Sequence, residues 1–216
     1  MPSVKWNLKN WTRDRARFLK GKPKEVYGVH WGDPELREGA VDPAAPGPLY
    51  RVVDDYIRPY VTSGVSVLEI GSGGGRWTRY LAGAARVICV DINDIFRPDL
   101  AEICRDTKFE FYKTSGFELS AVASDSVDFV FSFGTFVHIE PAGIEAYLKE
   151  IARVLKPGGI AVIQYADKTK PIGAKNSAFT NMNAQKMEKI VPTALRIETH
   201  DTTLLNHSNI IRLKKA

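Results

Sequence analysis

Apolar runs along the chain are broken by glycine, proline and charged residues at the spacing of alternating strands and helices. In residues 48–60, Leu49, Val52, Val53, Tyr56 and Ile57 recur at helical spacing and predict a helix. The stretch 65–78, VSVLEIGSGGGRWT, opens with the buried-strand residues Val67, Leu68 and Ile70, breaks into Gly71, Gly73 and Gly75, and is expected to restart as a helix at Arg76 or Trp77. ARVICVDIND supplies a second strand that ends in Asp91. Residues 108–112 and 126–132 (SVDFVFS) read as the third and fourth strands. Residues 144–155 then place Ile144, Tyr147, Leu148, Ile151, Val154 and Leu155 on one helical face, Pro157-Gly158-Gly159 stops that helix, and IAVIQYA follows as a fifth strand. A polar loop over 167–180 leads to a helix over 183–191. Two last strands, 195–205 and 208–213, meet at a turn of Asn206 and His207 and suggest a closing antiparallel hairpin. Strands separated by helices predict an α/β fold, a doubly wound and mostly parallel sheet with helices on both faces. Alternation by itself leaves the strand order open.

With 216 residues, 44% hydrophobic and 25% charged, the chain is an ordinary globular protein with room for one sizeable core and a short appendage. This divides it into an arm, residues 1–47, and a body, residues 48–216. Cys89 and Cys104 have neither metal nor redox spacing and are expected to be free thiols in a reducing compartment. MPSVKWNLKN has no apolar signal core, and no apolar run approaches membrane-spanning length, so a cytoplasmic protein without membrane insertion is expected. The net charge of +5 is concentrated in the first 24 residues, where eight lysines and arginines face Asp14 alone. Such an arm suits RNA phosphates, an acidic membrane surface, or a phosphorylated or uronic acceptor. Its Trp6, Leu8, Trp11, Phe18 and Leu19 equally suit packing on the body or on a second copy, which would make a homodimer.

The glycine cluster carries the clearest chemistry. Glycines at a strand's carboxyl end let the backbone turn sharply and lie against a ligand. The dinucleotide pattern G-x-G-x-x-G would need a glycine where Arg76 stands. The chain instead has Glu69-x-Gly71-x-Gly73-x-Gly75, which resembles motif I of the class I S-adenosylmethionine-dependent methyltransferases. Asp91, 22 residues past Glu69, is placed to accept both ribose hydroxyl hydrogens, a role that suits S-adenosylmethionine or NAD. The resemblance covers roughly residues 48–214, includes LKPGG at 155–159, and implies a seven-stranded sheet ending in an antiparallel hairpin. It also implies cofactor contacts from Glu69, Gly71, Gly73, Gly75 and Asp91. Arg76 would hold the cofactor carboxylate, Trp77 would pack behind it, Gly116 and Phe117 would lie over the adenine, and Ser132 and Phe133 would edge it.

Residues 126–143 hold the fourth strand and the loop after it; the resemblance implies that this strand neighbours the first, so that the loop would border the reacting methyl. An aliphatic hydroxyl is a weak nucleophile that benefits from a base, and a histidine titrates near neutral pH. His138 is the candidate base and Glu140 a candidate orienter of its ring. Ser132-Phe133-Gly134-Thr135 lacks the Asp/Asn-Pro-Pro-aromatic signature of base amino methylation. Asp167 alone makes a poor magnesium site, so no metal is expected. VYGVHWGDP, IGSGGGRWTRYL, FSFGTFVHIE and AYLKEIARVLKPGG together look like bacterial methyltransferases of glycan assembly, many of which carry an aspartate where this chain has Gly134. Tyr27, His30 and Trp31 would then close over a sugar as a lid or anchor the arm. The implied activity is O-methylation of a small molecule, a sugar or glycan. The rivals are an RNA methyltransferase gripping phosphates with its basic arm and an inactive cofactor-binding partner subunit.

Overall fold

A computed structural model describes residues 47–216, so the basic arm, with Tyr27, His30 and Trp31, lies outside the described residues. Seven strands form one sheet: β1 (Ser66–Ile70), β2 (Arg86–Asp91), β3 (Lys108–Lys113), β4 (Val127–Ser132), β5 (Leu155–Ala166), β6 (Leu195–Asp201) and β7 (Ser208–Lys215). Their order is β3-β2-β1-β4-β5-β7-β6. The first five run parallel, and β7 is antiparallel to both β5 and β6. The chain winds outward from β1 to β3 and then returns past β1 to β4. That reversal leaves a crevice beyond the carboxyl ends of β1 and β4.

Both central strands are mainly apolar because both of their faces are covered. Val67, Phe129 and Phe131 point to the side covered by α1 (Pro48–Tyr56), α2 (Thr78–Leu81) and α3 (Arg97–Ile103), where Val52, Val53, Leu81 and Leu100 meet them. Leu68, Ile70 and Val130 point to the other side, where Ile144, Leu148 and Ile151 of α4 (Pro141–Val154) and Met187 of α6 (Ala184–Ile190) complete the core. Among the described residues no helix is long and apolar enough to cross a membrane.

Several elements differ from the sequence expectation, each for a local reason. The first helix ends at Tyr56 and gives way to a 3-10 turn, Arg58–Tyr60, because Pro59 offers no N–H and disfavours a helical Arg58. The helix after the glycines is only Thr78–Leu81. No helix occupies residues 114–126, so the β3–β4 crossover is irregular. Helix α4 stops at Val154, and Leu155 already pairs with Val127; Pro157-Gly158-Gly159 makes an irregularity within β5, with Gly158 at φ +77°, rather than a helix stop. An unexpected short helix, α5 (Pro171–Lys175), lies within the polar loop. Strand β6 ends at Asp201, four residues early, because the Asp201 carboxylate accepts the N–H groups of Thr203 and Leu204 and turns the chain.

Glu69 ties β1 to α2. Its side chain is buried, and its Oε2 accepts the Thr78 hydroxyl at 2.6 Å, with the Cys89 thiol 3.8 Å away. Burial raises its pKa from 4.5 to about 7, with the Asp91 charge adding to the shift and the Thr78 and Cys89 contacts opposing it. The folded protein therefore binds this proton more tightly than the unfolded chain. The contribution to stability is complete below the unfolded value and lost as pH rises through about 7. Between pH 5 and pH 8 the stability of the Glu69→Gln variant relative to the parent should rise by on the order of 1–3 kcal/mol in denaturant titrations. A difference that does not change with pH would mean that the folded carboxyl is ionised throughout.

Candidate active site

The glycine loop closes on β2 and is pressed between neighbours. Gly71 donates its N–H to the Val90 carbonyl at 2.7 Å, and Gly75 donates to that of Ser72 at 3.0 Å. Gly71, Gly73 and Gly75 have φ of +77°, +50° and +91°, the left-handed region in which a side chain is strained. Space is short as well: a Cβ on Gly71 would stand 1.9 Å from Thr135 Oγ1, and one on Gly75 would stand 2.3 Å from Ile103 Cδ1. At the end of β2, Asp91 accepts the N–H of Gly73 at 3.0 Å and that of Asn93 at 3.1 Å. Burial raises its pKa to about 6, and the N–H groups of Gly73, Asn93 and Ile92 oppose the rise.

Beyond this loop lies a cavity of about 720 Å³. One side is the glycine loop with Trp77 and Phe133, whose rings are 4.4 Å apart, and the Arg76 guanidinium lies 5.0 Å over the Trp77 ring. The other sides are formed by Leu49 of α1, by His138, Asn176 and Phe179, and by residues 203–207 of the β6–β7 loop.

His138 closes a 3-10 turn, Phe136–His138, that follows β4. Its Nδ1 lies 2.9 Å from the Ala178 carbonyl oxygen. A carbonyl only accepts, so Nδ1 carries the hydrogen and Nε2 of the neutral ring keeps its lone pair. Its ring stands edge-on to Phe179 at 5.8 Å.

The residues singled out in the sequence fall into two groups. Gly71, Gly73, Arg76, Trp77, Phe133 and His138 line the cavity. Glu69 and Gly75 brace the loop from behind, and Asp91 is buried beside it. The Ser132 hydroxyl turns back to the Ile70 carbonyl at 2.7 Å. Gly116 accepts the Tyr147 hydroxyl at 3.2 Å, and Phe117 packs edge-on against Tyr147; neither lines the cavity. Glu140 stands at the N-cap of α4, and the partner of the His138 ring is Ala178 instead. Gly134 has φ +80° and open space where a Cβ would be, and its N–H donates to buried Gln164 at 2.7 Å. Sequence reasoning missed Thr135, Gln164, Asn176, Phe179 and the 203–207 wall. The one available signal was a polar stretch between two strands, which reads equally well as a plain turn.

Residues 68–163 match the family model described as a methyltransferase domain. The chain is 35% identical over 115 residues to the human thiol S-methyltransferase TMT1A, covering 51% of this chain and 46% of that protein. It is 35% identical over 105 residues to phosphoethanolamine N-methyltransferase 1 of Triticum aestivum, covering 45% of this chain and 20% of that protein. The chain thus spans less than half the length of these curated relatives. Among solved structures, the PH0226 protein of Pyrococcus horikoshii superposes with a TM-score of 0.63 at 19% identity, over 77% of this chain and 90% of that one. The N-methyltransferase NodS of Bradyrhizobium japonicum, in complex with S-adenosyl-L-homocysteine, gives 0.63 at 16% identity, over 92% and 97%. Strand order and structural likeness agree: the chain has the class I methyltransferase fold, residues 68–163 within it are similar to the methyltransferase domain family, and the cofactor is S-adenosylmethionine.

Proposed function

We propose that this protein transfers a methyl group from S-adenosylmethionine to a hydroxyl of a small molecule, a sugar or glycan, with His138 as general base. The observation that carries this reading is the bond from His138 Nδ1 to the Ala178 carbonyl, which leaves a basic Nε2 on a residue of the cavity wall.

The residues present fit the cofactor. The cradle at Gly71 and Gly73 has no room or no tolerance for a side chain, and the cavity volume lies in the range of small-molecule sites. Asp91 retains acceptor capacity beyond its backbone bonds and would hold the ribose hydroxyls. Helix α2 has four residues and little dipole, so the carboxylate falls to the Arg76 guanidinium. When bound, the cofactor supplies a methyl already activated by its sulfonium. The chain's own work is to orient an oxygen towards that methyl and to take its proton at His138. The aromatic rings of Phe133 and Phe179 with the polar groups of Asn176, Thr203 and Asn206 support a sugar, whose ring has an apolar face and a hydroxyl rim.

Similarity to a thiol S-methyltransferase favours a second reading, an acceptor thiol. A thiol ionises near pH 8.5, far more readily than an aliphatic alcohol, and has less need of a base.

His138→Ala should lower kcat by about 10²–10⁴ with S-adenosylmethionine affinity unchanged. Labelled methyl would be followed into sugars, oligosaccharides and small thiols. Retention of near-full turnover on a thiol would favour the second reading, and retention on a hydroxyl would remove His138 as the base. By calorimetry, Asp91→Ala should weaken S-adenosylmethionine binding about 10–100-fold through loss of hydrogen bonds to a charged acceptor. Undiminished binding by a folded variant would take Asp91 out of the cofactor site.

A further inference from the structure

The β6–β7 loop is fixed at both ends by side chains. At its start, Asp201 Oδ1 accepts the N–H groups of Thr203 and Leu204 at 2.9 Å each, while Oδ2 accepts the Tyr56 hydroxyl of α1 at 2.9 Å. At its end, Lys170 Nζ donates to the carbonyls of Leu205 and Ser208, on either side of Asn206 and His207. Helix α5 presses on the same point. A Cβ on Gly173 would stand 2.6 Å from the His207 carbonyl oxygen and 2.1 Å from that of Asp167. The His207 backbone therefore has little freedom.

Its ring lines the cavity. Nδ1 lies 3.1 Å from the Asn206 side-chain oxygen, which only accepts, so Nδ1 carries the hydrogen and Nε2 keeps a lone pair. Burial, and after it the Lys170 charge, lowers the His207 pKa and favours this neutral ring. Phe179 is a neighbour of both histidines, with ring centres 5.8 Å from His138 and 5.8 Å from His207. Two imidazoles, each with Nδ1 engaged by an oxygen, thus neighbour one phenyl ring in the same cavity.

We propose that His207 determines acceptor specificity by accepting a hydrogen bond from a second hydroxyl of the substrate while His138 faces the first, so that the preferred acceptor is a polyol lying against Phe179. This rests on the hydroxyl reading above and narrows its substrate class. A mono-alcohol of the same size would leave Nε2 of His207 without a donor and bind less well.

The test uses the full chain with isotope-labelled S-adenosylmethionine and a panel of methyl pyranosides, each beside its monodeoxy counterparts. For the pyranoside methylated best, removal of one non-reacting hydroxyl should raise KM about 10-fold in the wild-type protein, the effect of one hydrogen bond. His207→Ala should raise KM for the parent sugar about 10-fold and bring parent and deoxy sugar level, with kcat little changed. His207→Gln, which keeps an acceptor oxygen, should recover part of the discrimination. Unchanged discrimination in His207→Ala would overturn the assignment while leaving the hydroxyl reading intact. No label in any pyranoside, despite intact S-adenosylmethionine binding by the wild-type protein, would overturn both.

Discussion

The site depends on the approach of Gly71 to Thr135. At the ends of β1 and β4 two hydroxyls stitch the strands together: Ser132 donates to the Ile70 carbonyl at 2.7 Å and Thr135 to that of Gly71 at 3.3 Å. The second contact exists because Gly71 lacks a Cβ, which would otherwise occupy the position of the Thr135 hydroxyl. Three residues beyond Thr135 stands His138, whose N–H donates to the Thr135 carbonyl at 3.0 Å. The distance between the glycine loop and the histidine is therefore set by one glycine. Any larger residue at 71 would force the β4 turn outwards and move the His138 ring with it.

The sequence disclosed those parts of the molecule whose residue types follow from burial. Val67, Leu68 and Ile70 in β1 and Phe129 to Phe131 in β4 are apolar because both sheet faces are covered, and that made the strands legible. Gly71, Gly73 and Gly75 were legible because a positive φ restricts the residue there. His138 was legible from its distance past β4. Side chains at strand ends were harder to read. Ser132 was placed at the cofactor, yet its hydroxyl faces the neighbouring strand, and Glu140 was paired with a ring that bonds Ala178. Orientation there is decided by partners distant in sequence. The same holds for His207, whose polar neighbours read as a turn until Lys170 and Gly173 bring the loop to the cavity.

Beneath the 203–207 wall runs a chain of polar side chains that holds β5, β6 and β7 in place. Glu188 meets His200, whose other nitrogen meets the Tyr165 hydroxyl; Asn209 donates both to that hydroxyl and to Asp167. Tyr165 and Asn209 are buried, so each polar atom left without a partner would be costly, and the network favours one arrangement of the three strands. Asp167 in turn begins the segment that carries Lys170 and α5. The 203–207 side of the cavity is thus braced from the far edge of the sheet, separately from the glycine-loop side.

That separation has a consequence for the order of assembly. Strand β7 comes last in sequence but lies between β5 and β6, so the wall at 203–207 forms only after the C-terminal strand has inserted. The glycine loop, Asp91 and the β1–β4 stitching need only the five parallel strands. A nascent chain can therefore complete the glycine-loop side of the cavity while β5 still exposes an unpaired edge, open to pairing with another chain. Any ligand held on that side alone would stabilise the parallel half before the hairpin closes, and so act as an aid to folding.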